Sequence, residues 1–364
     1  MRLFNSDYYK NMGLAEIRDK VVVCERLSFE DGIKLFECPE PLAVGALAHM
    51  VRTRLHGDKA FYVVNQHVNY TNVCVNGCIF CAYQREEGQD GGFVLSKEDI
   101  IAKIDSAALT PREIHIVGGC HPKLGLSYFE DILSAIRKHL PKVVLKCFTA
   151  VEIAHFARIE DISTTEVLTR LKAAGLDMLP GGGAEIFAPT IRQQICPRKS
   201  TAEEWLKVHE EAHALGMKTN CTMLFGHIES MEDRIDHLVQ LRESQDRGNG
   251  YTCFIPLPFL TENSQLTIEK PLTGLEELRT IAISRLMLDN IPHIKAYWVM
   301  LGVKQAQAAL KFGADDFDGT VVEEKIGHEA GATSEQGMTR TELTEMITGC
   351  GCTPVERDGF FNEV

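Results

Sequence analysis

The sequence lacks any run of about eighteen apolar residues, so no segment of it is expected to span a membrane. It is also short of positive charge: 38 lysines and arginines face 51 aspartates and glutamates, a formal net charge of −13. A chain this acidic is not expected to bind nucleic acid or an anionic membrane surface. A few cations in a pocket would still accept a small anion. The first residues, Met1-Arg2-Leu3-Phe4-Asn5-Ser6-Asp7, lack the apolar stretch of a secretion signal, and a cytoplasmic setting is expected. A disulfide framework is missing too. The 12 cysteines are mostly single and in apolar contexts, which in a chain without a secretion signal reads as reduced, buried thiols. The pair Cys350 and Cys352 reads as incidental. What remains is an ordinary globular composition, with length for one large α/β domain or for two.

Against that background one stretch stands out, His67-Val68-Asn69-Tyr70-Thr71-Asn72-Val73-Cys74-Val75-Asn76-Gly77-Cys78-Ile79-Phe80-Cys81-Ala82-Tyr83. Cys74, Cys78 and Cys81 are spaced C-x3-C-x2-C. The apolar run Phe61-Tyr62-Val63-Val64 precedes them, so the cysteines are expected on a loop at a strand end. Three thiolates can hold three irons of a cubane iron–sulfur cluster and leave the fourth iron open for chemistry. A cluster held by four thiolates carries electrons instead. The competing readings are a zinc site built from Cys78-x2-Cys81 with distant cysteines, or a four-thiolate electron carrier. Both need a fourth ligand near the loop.

The rest of the chain is organised in βα units. Residues 1–60 read as a helical lead-in, with Ser28-x-x-Asp31 as a cap pattern and a second helix from Leu42 to Leu55. From residue 61, strand-like apolar runs fall at 61–69, 113–118, 142–149, 217–225, 251–256 and 292–299, with a short candidate at 176–179. Helix-like segments between them open on Ser96-x-x-Asp99, Ser163-x-x-Glu166, Thr201-x-x-Glu204, Ser230-x-x-Asp233 and Thr273-x-x-Glu276. Continuously apolar strands imply a parallel sheet covered on both faces. Repeated βα units imply a TIM-like (β/α) barrel over 61–312. An eight-stranded closed barrel is expected, with a six-stranded open barrel as the alternative. The extension 313–364 starts glycine-rich and acidic, ends with a helix around 339–349, and is expected to close the barrel.

Barrel active sites form at the carboxyl ends of the strands, so the residues after each apolar run are the candidates. The first run leads to the cysteine loop. The second leads to Gly118-Gly119-Cys120-His121-Pro122, where paired glycines present bare backbone to a ligand. The third leads to Lys146-Cys147-Phe148-Thr149-Ala150-Val151-Glu152; Thr149 and Glu152 either reach a ligand or form a capping box. The fourth leads to Pro180-Gly181-Gly182-Gly183-Ala184-Glu185, with Glu185 a candidate acceptor for hydroxyls. Arg192 and Lys199 are candidate carboxylate partners, or else a solvated basic face. Ile255-Pro256 forms a rigid exit suited to a flat ring. Among His67, His115 and His121, a strand histidine is more often structural, and His121 in its turn is the favoured candidate.

These runs together resemble one family. Asn69-Tyr70-Thr71-Asn72-Val73-Cys74, Cys78-Ile79-Phe80-Cys81-Ala82, His115-Ile116-Val117-Gly118-Gly119, Phe148-Thr149-Ala150-Val151-Glu152-Ile153, Pro180-Gly181-Gly182-Gly183-Ala184-Glu185-Ile186 and Ile195-Cys196-Pro197 are similar to the menaquinone-pathway branch of the radical S-adenosylmethionine (SAM) enzymes. Gly-Gly-Cys-His-Pro and Phe-Thr-Ala-Val-Glu-Ile resemble its aminofutalosine synthases more than the sister cyclases. Tyr70 and Cys120 depart from the pattern, where proline and leucine are common. The resemblance implies a 4Fe–4S cluster on Cys74, Cys78 and Cys81. It implies SAM among Tyr83, Gly118, Gly119, Lys146, Thr149, Glu185 and Ile255, with the amino group of SAM at Gly118-Gly119. It further implies a substrate that is an aryl enolpyruvyl ether dicarboxylate, acted on by His121, Arg192 and Glu152, with Lys146 a further carboxylate candidate. An electron donor such as flavodoxin or ferredoxin is implied, with a homodimer among the expected assemblies. Within the class the rivals are the dehypoxanthine futalosine cyclases and the deazaflavin-precursor synthases.

Overall fold

The computed structural model describes residues 6–364; Met1–Asn5, read above for a leader, lie outside the described residues. Four helices come first, Ser6–Asn11, Ala15–Val22, Phe29–Glu37 and Pro41–His56. Ser28 and Asp31 form the expected capping box on the third. The fourth packs along the later helix Gly274–Met287 on the outside of the sheet. Among the described residues no helix is long and apolar enough to cross a membrane.

The strands are β1 (Lys59–Val63), β2 (Asn65–Asn69), β3 (Glu113–Val117), β4 (Val144–Cys147), β5 (Met178–Leu179), β6 (Lys218–Phe225), β7 (Tyr251–Pro258), β8 (His293–Ile294), β9 (Asp316–Gly319) and β10 (Thr353–Arg357). β2 through β8 form a seven-stranded parallel sheet in sequential order, and β1 lies between β9 and β10 in a second, three-stranded parallel sheet. Helices return the chain between successive strands, as parallel pairing requires. Capping boxes fix the starts of several: Ser96 with Asp99, Thr149 with Glu152, Thr201 with Glu204, Ser230 with Asp233 and Thr273 with Glu276. At Ser163 only the hydroxyl half of the box is made, accepting from the Glu166 amide.

The parallel α/β barrel expected from the sequence is present as a partial barrel. β1 runs into β2 with a single break at Val64, and the Asp315–Val322 stretch crosses the gap between β8 and β2. It touches β8 through the Lys295–Asp316 bridge and β2 through the Gln66–Val322 bridge. Trp298, fully buried, donates its indole N–H to the Gly319 carbonyl at 3.0 Å and pins this crossing strand. Three of its aspartates are buried and paired with cations from elsewhere. Asp315 meets Arg285, Asp316 meets Arg357 and Asp318 meets Lys295. A buried carboxylate is tolerable only with such partners.

Register positions the site. His67 on β2 pairs with His115 on β3, and His115 pairs with Lys146 on β4, so the three residues share one level of the barrel. Two residues further along β3, at Val117, the strand gives way to Gly118-Gly119, and the cysteine loop follows β2.

Candidate active site

The loop after β2 is tied down by backbone bonds rather than by regular structure. The Cys74 N–H donates to the Arg85 carbonyl, Val75 to Cys120 and Ile79 to Ile195, each at 3.0 Å. Gly77 turns the loop in the left-handed region (φ +59°), a conformation that favours glycine. Cys74, Cys78 and Cys81 line one cavity of about 330 Å³, together with Gly118, Gly119 and the Gly181–Gly183 exit of β5. That volume lies within the range of small-molecule sites.

The electrostatics divide the three thiols. A thiol–thiol contact with Cys120 holds Cys74 down at about 6, against the upward push of burial. The buried Lys199 ammonium pulls all three thiols down, but a contact with Cys196 and burial push Cys78 well up, and burial pushes Cys81 up. Thiolate is the form that ligates metal. Lys199 is itself held by the Glu185 carboxylate and sits 5.7 Å above the Phe80 ring.

The residues present fit an iron–sulfur cluster better than a single ion. Among the described residues, a group placed to hold a single ion is His56, His293 and Asp315, whose ligand atoms lie within 4.8 Å of one another, away from the cysteine loop. Thiolates that converge on zinc at about 2.3 Å each would be crowded together; thiolates on three corners of a cluster stand apart. The Tyr83 hydroxyl, buried at the cavity wall, has no hydrogen-bond partner in the protein. A buried polar atom left open in this way marks room for a bound group.

Glu152 organises the middle of the site. Its Oε1 accepts the Gly118 N–H at 3.0 Å and the Tyr70 hydroxyl at 2.9 Å, while Oε2 accepts the Thr149 N–H and hydroxyl, each at 2.7 Å. Burial pushes its carboxyl up to about 7, although each of these bonds pulls it down. The hydroxyl of Thr149 is therefore spent on its capping box and on Glu152. The Gly119 N–H is used as well, on the Thr71 carbonyl at 2.9 Å, and the Gly119 carbonyl accepts from the Tyr70 hydroxyl at 3.2 Å, so of this pair the Gly118 carbonyl is the group left open to a ligand. Glu185, in the left-handed region at φ +48°, and Ile255 of β7 line the same cavity.

Two expected residues stand elsewhere. Arg192 is buried, and its guanidinium donates to the carbonyls of Ala184, Ile186 and Ser200. It props the exit of β5 and does not line the cavity. His121 also lies off the cavity wall: its Nδ1 accepts the Lys123 N–H at 3.1 Å, and its carbonyl bonds the His155 ring at 2.9 Å. The turn that made it attractive in the sequence points it away. His67 and His115, passed over as structural, are the histidines that line the cavity. Lys146 lines it too, paired with Glu113 at 2.6 Å. Asn65, Asn220, Lys295, Asp318 and Tyr297 complete the polar floor and were missed. The available signal was a lone lysine inside an apolar strand run, His293-Ile294-Lys295-Ala296-Tyr297, the same signal that marked Lys146.

A partial parallel barrel that holds a three-cysteine loop and a glycine-edged cavity at the carboxyl ends of its strands defines a class, that of barrel enzymes working through an iron–sulfur cluster. Residues 68–241 match the Radical SAM superfamily, and residues 248–362 match the CofH/MqnC C-terminal region. The chain is 44% identical over 358 residues to the aminodeoxyfutalosine synthase of Thermus thermophilus, covering 96% of each chain. It is 39% identical over 344 residues to 5-amino-6-(D-ribitylamino)uracil–L-tyrosine 4-hydroxyphenyl transferase 1 of Methanosarcina acetivorans, covering 92% of this chain and 90% of that one. The fold is shared with the crystal structure of methylornithine synthase, at a TM-score of 0.75 and 16% identity, over 93% of this chain and 96% of that one. The chain belongs to the radical SAM superfamily, in its futalosine-pathway branch, and is an enzyme of that family. Its cofactor and cosubstrate are accordingly a 4Fe–4S cluster and SAM.

Proposed function

We propose that the protein is an aminodeoxyfutalosine synthase of menaquinone biosynthesis. In this reading the 5′-deoxyadenosyl group of SAM adds to the vinyl carbon of 3-[(1-carboxyvinyl)oxy]benzoate. Aryl migration and loss of a carboxylate as CO2 or bicarbonate then give 6-amino-6-deoxyfutalosine, with methionine as coproduct. SAM is consumed as a substrate. The observation that carries the reading is the near full-length similarity to the Thermus thermophilus synthase, at 44% identity. The cavity supports it, because the cysteine loop, the glycine exits and a polar floor face one and the same cavity.

A bound 4Fe–4S cluster with one open iron would supply the electron that splits SAM into methionine and the adenosyl radical. Cys74, Cys78 and Cys81 would hold it. The Gly118-Gly119 edge would receive the amino group of SAM through the Gly118 carbonyl, with Glu152 fixing that edge through the Gly118 N–H. Tyr83, with its open hydroxyl, and Glu185 and Ile255 would wall the SAM side of the cavity. Apolar walls such as Val151, Leu257 and Phe259 would exclude water from a reactive carbon radical. A low-potential donor such as flavodoxin or ferredoxin would deliver the electron.

The second reading is the hydroxyphenyl transfer named for the Methanosarcina relative, favoured by 39% identity over 344 residues. One anaerobic assay separates the two. Protein reconstituted to four irons is mixed with SAM, dithionite and the enolpyruvyl benzoate, and the products are read by mass spectrometry. An adenine-containing adduct is expected. Free 5′-deoxyadenosine without adduct would favour the second reading, and no SAM cleavage under strong reductant would overturn both.

A further inference from the structure

At the floor of the cavity, at the far end from the cysteine loop, the hydrogen-bond donors outnumber their partners. The His67 and His115 rings stack with centroids 4.5 Å apart and planes 17° from parallel. Both line the cavity, His67 is only 7% exposed, and neither ring makes a hydrogen bond to the protein. Their ring nitrogens are left to whatever fills the cavity. Next to them on β4, at the same level, the Lys146 ammonium has one protein partner, Glu113, for its three donors. Lys295 comes from the opposite side, shared between Asp318 and Asp316. Glu113 and Asp318 are thus ion-paired to Lys146 and Lys295, and the cavity-lining groups left open to a ligand are the two imidazoles and the remaining Lys146 N–H donors. Those groups fit an acceptor-only anion, a carboxylate or a phosphate, and of the two the aryl substrate of the proposed reaction carries only carboxylates.

We infer that His67 and His115, flanked by Lys146, seat a carboxylate of the aryl substrate, and that this histidine pair takes up a proton as the carboxylate arrives. The inference rests on the proposed synthase reading for the identity of the substrate. The seat is at the end of the cavity remote from the cluster loop, so it takes the ring carboxylate, which is retained in the product. The carboxylate that is lost must lie near the reacting vinyl group. The charges facing the pair are Glu113 and Lys146 from β3 and β4, Lys295 beyond β8, Asp318 of β9 and Glu324 after it. Burial, foremost, and then the neighbouring His67 and the charges of Lys146 and Lys295 keep the His115 imidazole neutral. Burial does the same at His67. An arriving anion reverses that balance and favours imidazolium, which donates from both nitrogens.

The test uses the reconstituted protein under anaerobic conditions, in two arms. The first is calorimetric titration with isophthalate, a stable aryl dicarboxylate, in buffers of different ionisation heat near neutral pH. Uptake of about one proton on binding is expected, and its loss in His67→Gln and His115→Gln. The second is steady-state kinetics. Both variants should raise KM for the enolpyruvyl benzoate by about tenfold or more, with a much smaller change in KM for SAM. Should a variant fail to fold, the wild-type protein still decides: an analogue with a carboxamide in place of the ring carboxylate should show a KM higher by about tenfold or more. Binding without proton uptake, or equal KM values for acid and amide, would overturn the inference while leaving the synthase reading intact. No adduct from the enolpyruvyl benzoate, with histidine-dependent uptake on isophthalate binding, would overturn the synthase reading and leave the anion seat standing.

Discussion

The carboxylate of Glu152 holds the backbone N–H of Gly118 at 3.0 Å. Glu152 lies in the helix Ala150–Glu160 after β4, whereas Gly118 is the exit of β3, and the Tyr70 hydroxyl joins them from the exit of β2. One buried carboxylate therefore sets the mutual position of three strand exits. Glu152→Ala would leave the Gly118 and Thr149 amides and the Thr149 hydroxyl without their acceptor, while the Tyr70 hydroxyl keeps the Gly119 carbonyl at 3.2 Å. Each orphaned buried donor costs about 1–3 kcal/mol, so a loss of at least about 2 kcal/mol is expected in urea denaturation, and SAM binding measured by calorimetry should weaken with it.

The same residue sets a pH dependence. Burial pushes the Glu152 carboxyl up to about 7, above its ordinary range, so between about pH 4.5 and 7 the folded state keeps a proton that the unfolded chain has lost. The stabilisation linked to that proton is complete below the ordinary carboxylate range and is lost as pH rises through about 7. Glu152→Gln cannot titrate. The stability of wild type relative to Glu152→Gln should fall with rising pH across this window, by at most about 1.4 kcal/mol per pH unit. A pH-independent difference would show that Glu152 is ionised throughout.

Glu113 works in the opposite sense. Burial would raise its carboxyl, but Lys146, Arg357 and Lys295 outweigh burial and hold it at about 2. Its contribution is present above the ordinary carboxylate range and lost as pH falls through about 2. Removing one partner of a buried ion pair costs about 3–5 kcal/mol. Glu113→Gln, which leaves Lys146 buried without its carboxylate at 2.6 Å, should lose that much at neutral pH in urea denaturation, and less in acid as the wild-type carboxyl begins to protonate.

The order of the sheet was legible because each strand is a continuous apolar run and each helix opens on a side-chain cap. The crossing strand was not. Asp315-Asp316-Phe317-Asp318-Gly319-Thr320 has the composition of a solvated loop. It is a buried strand because Arg285, Arg357 and Lys295, distant in sequence from one another or from it, neutralise its aspartates. Local composition carries no trace of a partner that arrives through the fold. The site shows the same limit. Cys74, Cys78, Cys81 and the glycine exits were legible from spacing and position. His121 and Arg192 looked equally suitable by residue type, but side-chain direction places one against Lys123 and the other on backbone carbonyls.

The cysteines divide into ligands and neighbours. Cys120 touches Cys74 and Cys196 touches Cys78, so five thiols crowd the loop. If the C-x3-C-x2-C spacing defines the ligands, Cys74→Ala, Cys78→Ala and Cys81→Ala should each lose cluster iron and reduce SAM cleavage to background. Cys120→Ser and Cys196→Ser should still reconstitute to about four irons per chain, read by iron analysis and absorbance. Loss of iron in Cys120→Ser alone of these two would make Cys120 a ligand and reopen the four-thiolate reading.

Gly119 gives a sharper test of how the loop is held. Paired glycines at a strand exit suggest room for a ligand, yet a Cβ on Gly119 would lie 2.3 Å from the Val73 carbonyl oxygen and 3.0 Å from the Cys74 Cβ. A Cβ on Gly118 would meet the Tyr70 ring at 2.8 Å. The bare backbone of β3's exit is thus needed first by the chain of the cysteine loop itself. Close approach of this kind is a role only glycine fills, and the obstacle is backbone, which cannot swing aside as a side chain can. Gly119→Ala must therefore displace Val73 and Cys74 while every thiol stays in the sequence. The expected outcome is a folded protein, near wild type by circular dichroism, that reconstitutes with less iron and releases it faster to a chelator. Iron retention equal to wild type would mean that the loop yields without moving its ligands, and that the glycine serves the ligand after all.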